Sequence, residues 1–409
     1  MKGFVASWFF PPSTSAEGLV TFKLLKASKY NYDVCSSLSN QWSYKIESQL
    51  VSENINNIAI DTDDLDVWRY EAVKQYEMKK EEYDFIMTRS MPPESHKVGL
   101  EIKKKYPNTY WIASFADPIA CNPYELLAYV KNGLPNKISN FIMKKPKKYI
   151  AMTSILPNKG LSILREMQKL ETEVLALADM FIFPSIEQCQ YSLGKRYDDY
   201  KEKCLIIPHT YDKELFPSKV ERDSKEFIFT YIGHADSIRN PSKFIEALKI
   251  IREIEPNIFK RIKLRFVGNI PRSIIDMSYA FFLYNNVYIE EPVDYLESLK
   301  IMMESDCLLH VDGKFDFLEN GSIFFASKLA DYMGAGKPIL GIVTEGSPAA
   351  NILKESNNLC CDINDIQGIA ENMLKVVKGA IEVDMSYYNK YNVQSIYNNF
   401  DKAIKDKNL

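Results

Sequence analysis

Residues 324–340, FFASKLADYMGAGKPIL, contain Gly-Ala-Gly-Lys, the residue types that wrap a phosphate in a nucleotide-binding loop. The Walker arrangement needs Gly-x-x-x-x-Gly-Lys followed by Ser or Thr, so that backbone N–H groups cradle the phosphates. Here Asp331 stands in the place of the first glycine and Pro338 follows Lys337. The pattern instead predicts a helix over 327–333 and a strand over 337–343. Gly334 and Gly336 then close the helix, where glycine relieves a left-handed cap. That end carries partial negative charge and repels phosphate. The opposite end, at Ser327, Lys328 and Leu329, can hold an anion on its free N–H groups. Asp331 lies one turn beyond Ser327 on the same face. A diphosphate on the N–H groups and a carboxylate one turn deeper for ribose hydroxyls make a nucleotide-sugar site. The competing reading of Lys328 and Asp331 is a solvated i,i+3 ion pair.

Such a helix needs a sheet to aim it. Apolar strand-like runs alternate with amphipathic helical runs along the chain. FVASWFF (4–10), YDFIMTRS (83–90), TYWIASF (109–115), ADMFIFPS (178–185) and KCLIIPH (203–209) lie in the first half. FIFTYIG (227–233), IKLRFVG (262–268), NVYIEE (286–291), DCLLHVD (306–312) and NNLCCDI (357–363) lie in the second. Strand, helix, strand in this order predicts parallel sheets with helices on both faces. The polar stretch 210–226 reads as a linker. The expected fold is α/β: two doubly wound Rossmann-like domains, 1–209 and 227–385, facing each other across a cleft. Residues 386–409 are expected to form helices that pack back on the first domain.

The bulk properties exclude several classes. The chain has 409 residues, 46% of them hydrophobic, and a net charge of −3, so no global attraction to nucleic acid is expected. Seven cysteines form no Cys-x-x-Cys pair, which fits a reducing compartment. The four histidines form no metal-spaced cluster, and no metal is expected. The first residues, MKGFVASWFF, read as a buried strand rather than a signal peptide. No apolar run is long enough to span a bilayer. A dinucleotide oxidoreductase is disfavoured, because no Gly-x-Gly-x-x-Gly follows a strand.

ASKLADYMGAGKPIL closely resembles the donor-site motif PSKLxEYLAxGKPIL of GT-B glycosyltransferases, near the large family 4 of retaining enzymes. YIGHADSIRNPSKFIEAL, LIIPHTYDKELF, FFPPSTSAEG and YWIASFADPI resemble further motifs of that family, in the right order. The resemblance implies a transferase that moves a sugar from a nucleotide-diphosphate sugar to a glycan or lipid-linked acceptor. It implies no bound metal and no cofactor beyond the donor. Arg239 takes the basic position at the donor diphosphate, after Gly233 and His234 in the loop. Ser327, Lys328 and Leu329 line the phosphate-binding helix start, and Asp331 takes the place of the ribose-binding glutamate. Ile289 and Glu290 fall where backbone groups read the base. Glu17 and Gly18 lie in the first-domain loop that faces the donor, and Asp117 lies near the transferred sugar. Asp117, Arg239 and Lys328 are the candidate catalytic residues.

The chain departs from the family at three points. Ile323 replaces the first glutamate of Glu-x7-Glu, Asp331 replaces the second, and Ala116 stands where a histidine is common. These leave open a non-catalytic nucleotide-sugar binder; a nucleotide-sugar epimerase of the same architecture is the other alternative, and it leans on a carboxylate and histidine set that the sequence does not assemble. His209 and His310 end strands and read as packing or capping groups. Arginine suits the diphosphate because its planar fork matches phosphate oxygens. Lys144, Lys145, Lys147 and Lys148, beside Phe141, Ile142 and Tyr149, form the densest basic cluster and suit an anionic membrane surface. The expected location is cytoplasmic, at the inner face of the membrane.

Overall fold

The computed structural model describes residues 1–13, 15–38, 50–153, 157–220 and 225–407. Part of the expected linker, residues 221–224, and the last two residues lie outside the described residues. The chain forms two units: Met1–Pro208 with Tyr397–Leu409, and His209–Ile396.

The first unit holds seven strands: β1 (Lys2–Ala6), β2 (Asn31–Ser37), β3 (Ile55–Ile60), β4 (Phe85–Arg89), β5 (Tyr110–Ser114), β6 (Met180–Phe183) and β7 (Cys204–Ile206). They lie in the order β3-β2-β1-β4-β5-β6-β7, all parallel. The reversal of strand order between β1 and β4 leaves a crevice at their carboxyl ends, where such sheets bind ligands. Trp68, Trp111, Phe115 and Phe181 are buried in the core. The chain returns to this unit at residue 397, and Asp401 accepts hydrogen bonds from Ser28 Oγ at 2.7 Å and the Lys29 N–H at 3.1 Å. β2, β3 and the helix Leu65–Met78 carry no strong sequence signal; they widen the sheet beyond the strands expected.

The second unit holds β8 (Phe227–Ile232), β9 (Ile262–Val267), β10 (Val287–Glu290), β11 (Cys307–Val311), β12 (Ile339–Ile342) and β13 (Leu359–Cys361). Their order is β10-β9-β8-β11-β12-β13, again all parallel, so the switch point falls between β8 and β11. Along β11, Cys307, Leu309 and Val311 enter one core cluster and Leu308 enters another. A sheet covered on both faces makes its strands continuous apolar runs, which is why they were legible.

The segment after residue 208 differs from a free linker. Tyr211 and Phe216 are buried in the second unit's core. They press on Gly334, where a Cβ would come within 2.7 Å of both rings. Gly334 is therefore inside the helix Ser327–Ala335 and allows close packing. Gly336 alone is the left-handed cap, at φ 70°. Residues 386–396 stay with the second unit, where Tyr387 and Tyr388 are buried.

Candidate nucleotide-sugar site

The carboxyl ends of β8, β9, β10 and β11 build one edge of the second sheet. Gly233 (φ 125°) and Gly268 (φ 130°) follow β8 and β9. A Cβ on Gly268 would run into the Gly233 carbonyl, so these turns approach closer than any side chain permits. The loop from Gly233 to Pro241 is shaped by Asp236, whose carboxylate accepts from the N–H groups of Ile238 and Arg239, both at 2.7 Å. Burial pushes the Asp236 carboxyl up, but those N–H groups and the Arg239 charge outweigh it and hold it below its ordinary value. The Arg239 guanidinium lies 3.7 Å from the same carboxylate. His234 lies on the open side of this loop, and its carbonyl accepts from Tyr231 Oη at 2.7 Å.

The helix Ser327–Ala335 starts beside this loop. Its N-cap is Ala326, which has no side-chain group to cap the first N–H groups. Lys328 Nζ lies 4.5 Å over the Tyr231 ring and would be 3.0 Å from a Cβ on Gly233. The side chain as a whole keeps some exposure, while its ammonium is desolvated. Burial, and then the Arg239 charge, push the Lys328 pKa down to about 7, with Asp236 opposing. A weakly hydrated ammonium beside a guanidinium is poised for an anion. Leu329 is buried in the core and anchors the helix.

Asp331 is 6% exposed, and its Oδ1 accepts from Tyr295 Oη at 3.1 Å. Tyr295 opens the helix Tyr295–Glu304 after β10. The side chain of Glu290 is held by Arg265 through two bonds of 2.7 and 2.8 Å, and its carbonyl accepts from the Gly268 N–H. Ile289 and Glu290, with His234, Gly268, Ile270 and Ile275, line a cavity of about 350 Å³. Ile270, Ile275 and Ile289 give it apolar surface on which a nucleobase can lie, beside the polar groups of His234, Asn269 and Glu290.

The sequence reading left two groups out of the site: His310, read there as a packing or capping group, and Asp312. His310 lies in β11 and is 1% exposed, and neither ring nitrogen has a hydrogen-bond partner among the described residues. Burial first, then the charges of Lys328 and Arg239, push its pKa down to about 3, so the ring is neutral. Asp312 follows β11; its Oδ1 accepts from the Gly313 N–H at 3.0 Å and Ser322 Oγ at 3.2 Å. Burial pushes the Asp312 carboxyl up to about 6, against the hydroxyls of Ser347 and Ser322 and the Arg239 charge. The signal for both is topological: β11 is the neighbour of β8 across the switch point. His209 does pack, its ring 5.4 Å from that of Phe325.

In the first unit, Glu17 and Gly18 lie in the first turn of the helix Ala16–Ala27 rather than in the loop expected, and the Glu17 carboxylate is bound by buried Arg89 at 2.9 Å. Arg89 also donates to Ser114 Oγ at 3.0 Å. Gly18 packs on the backbone of Phe9 and Phe10, and its N–H donates to the Ser15 cap. Asp117 is half-buried after β5. The Ala116 N–H donates to Ser90 Oγ at 2.8 Å. Glu125, downstream of the same strand, has its carboxyl pushed up to about 7 by burial and by Glu94. Of the basic cluster, Lys144, Lys145 and Lys148 are exposed. Lys147 pairs with buried Glu171 at 3.1 Å and keeps 34% of its side chain exposed. Among the described residues no three His, Cys, Asp or Glu side chains cluster as metal ligands, and no helix is long and apolar enough to cross a membrane.

Residues 212–393 match the family model described as Glycosyl transferases group 1, so the resemblance drawn from the motifs holds over the second unit. Solved structures align along nearly the whole chain. The sucrose-phosphate synthase of Thermosynechococcus elongatus is 14% identical, with 99% of this chain and 98% of that chain covered and a TM-score of 0.66. WaaG, a glycosyltransferase involved in lipopolysaccharide biosynthesis, is 12% identical, with 99% of each chain covered and a TM-score of 0.60. A UDP-N-acetylglucosamine 2-epimerase from Listeria monocytogenes, itself named as putative, is 12% identical, with 99% and 96% covered and a TM-score of 0.57. At such identities the likeness shows the fold, which is GT-B. Among curated proteins none matches the chain.

Proposed function

We propose, from the group 1 glycosyl transferase match over residues 212–393 and the GT-B fold of the whole chain, that the protein moves a sugar from a nucleotide-diphosphate sugar to a glycan or lipid-linked acceptor. The observation that carries this reading is Lys328 and Arg239 gathered over the uncapped start of the helix Ser327–Ala335, at the β8/β11 switch point. The diphosphate lies on the N–H groups of residues 327–329, Asp331 with Tyr295 holds the ribose, and the base enters the cavity beside Ile289 and Glu290. Negative charge grows on the departing phosphate, and the two cations stabilise it without a metal. The reaction is retaining, and the leaving phosphate takes the acceptor proton. Asp117 attends the transferred sugar. The exposed lysines 144, 145 and 148 bring the protein to the inner face of an anionic membrane, in surface polysaccharide or glycoconjugate synthesis.

A non-catalytic nucleotide-sugar binder is the second reading. It is favoured by Ile323, an apolar and largely buried residue (8% exposed) where the family has a glutamate. Thermal-shift screening against UDP-, GDP-, dTDP- and CMP-sugars identifies the donor, because a ligand of the native state raises its stability. Release of nucleotide in the presence of glycan acceptors then separates the two readings. Turnover is expected, with Arg239→Ala slower by about 100- to 1,000-fold. Tight binding with no turnover on any acceptor selects the binder, and no binding of any nucleotide sugar defeats both.

A further inference from the structure

The first unit has a second cavity that takes no part in the proposed reaction. The helices Pro146–Ala151 and Lys159–Leu177 border it, with residues 193–196, and its volume is about 730 Å³. Five cations line it, Lys147, Arg165, Lys169, Lys195 and Arg196, against two carboxylates. Both carboxylates are already answered. Glu171 is 2% exposed and accepts from Lys147, from Arg196 and from the Ala120 N–H, each at 3.1 Å. Glu173 accepts from Lys104 at 2.6 Å. Among the described residues the Arg165 guanidinium is held by neutral groups, the Thr153 carbonyl at 2.9 Å and its hydroxyl at 3.0 Å. Lys169 and Lys195 come within 4 Å of no carboxylate among the described residues, and the Lys169 charge acts on Glu173 only at longer range. The lining therefore carries a net excess of three positive charges in one cavity of a chain whose net charge is −3. An anion is the complement, and fixed guanidinium geometry favours phosphate.

The surroundings say where that phosphate comes from. Lys147 and Ala151 are one turn apart and line the cavity. Their next neighbours, Lys148 and Met152, are exposed, Met152 by 65%. Phe141 is 54% exposed and stacks on Tyr149 at 4.2 Å. The segment 141–152, which lends Lys147 and Ala151 to the lining, thus also carries exposed basic and apolar groups, and these suit a molecule with a phosphate head and an apolar tail. We infer that this cavity binds the phosphate of an anionic lipid headgroup, with Arg165, Lys169 and Lys195 as its ligands. The inference rests on the membrane-surface part of the proposed function and not on sugar transfer.

Flotation with vesicles of phosphatidylcholine containing phosphatidic acid tests it, against vesicles of phosphatidylcholine alone. The parent is expected to float only with phosphatidic acid. Lys169→Gln with Lys195→Gln alters two exposed or solvent-facing side chains and leaves the fold intact; adding Arg165→Gln completes the set. The triple variant should lose at least tenfold in partition, and more than Lys144→Gln, Lys145→Gln and Lys148→Gln combined, which remove equal charge outside the cavity. Calorimetry with dihexanoyl phosphatidic acid should show one site in the parent and none in the triple variant, with inorganic phosphate much weaker. Equal losses from the two triple variants would mean general charge attraction and overturn the site. Inorganic phosphate binding as tightly as the lipid would overturn the lipid source. A parent that floats with neither vesicle removes the membrane reading itself, whereas transfer activity would be untouched.

Discussion

Lys328 gives the sharpest quantitative consequence. Its ammonium faces Tyr231, Arg239, Asp236 and the neutral ring of His310, and its pKa stands at about 7 against an ordinary 10.5. A bound diphosphate diester brings negative charge to this ammonium and restores a high pKa. In the free protein Lys328 is about half charged at pH 7 and roughly 3% charged at pH 8.5. Affinity for the nucleotide sugar should therefore fall roughly fifteenfold across that interval, and binding at pH 8 should take up about 0.9 proton. Asp312, at about 6, is already ionised over this range and adds little to the slope. Titration calorimetry in two buffers of different ionisation enthalpy reads both quantities. Lys328→Arg stays charged and should bind with almost no pH dependence. The same depression has a stability consequence of opposite sense. The unfolded chain holds the proton that folded Lys328 releases, so the free protein gains stability as pH rises from about 7 toward 10.5. Parent affinity that is flat from pH 7 to 8.5, or a Lys328→Arg variant that follows the parent's slope, would mean that the Lys328 proton is not linked to donor binding.

Gly268→Ala forces a Cβ toward the Gly233 carbonyl at φ 130° and should cost about 1–3 kcal/mol in urea unfolding, more than Gly194→Ala, where φ is 54° and nothing lies within 4 Å. Equal costs would mean that strain alone acts at Gly268. Asp331→Ala should weaken nucleotide-sugar binding about tenfold, or ~1.4 kcal/mol, and leave inorganic pyrophosphate binding unchanged. Equal weakening of both would remove Asp331 from the ribose.

The parallel strands that line the proposed site were legible because both sheet faces are covered. FIFTYI and CLLHV are apolar on successive residues, and that signal survives without any tertiary knowledge. NYDVCSS and INNIAI were not legible as β2 and β3, because half their residues are polar. Those polar groups are satisfied only across the fold: Asp33 by Tyr83 at 2.7 Å and Asn56 at 3.0 Å, and Asn57 by Ser36 at 2.8 Å and the Pro11 carbonyl at 2.8 Å. The same divide runs through the candidate site. Ser327, Lys328 and Asp331 share one helix, so spacing alone brings them together. Tyr295, His310 and Asp312 reach them through sheet order, and Arg89 meets Glu17 over a separation of 72 residues. Lys147 shows a limit of another kind: a dense lysine run reads as a uniform surface, yet one member is also tied to a buried carboxylate further along the chain.

The most direct test of the nucleotide site is a crystal structure of the protein with the nucleotide-diphosphate sugar that thermal-shift screening selects. The diphosphate is expected within hydrogen-bond distance of Lys328 Nζ, the Arg239 guanidinium and the N–H groups of residues 327–329, with the base in the cavity beside Ile289. Nucleotide bound at the first sheet instead, or at the second with neither Lys328 nor Arg239 touching phosphate, would contradict it.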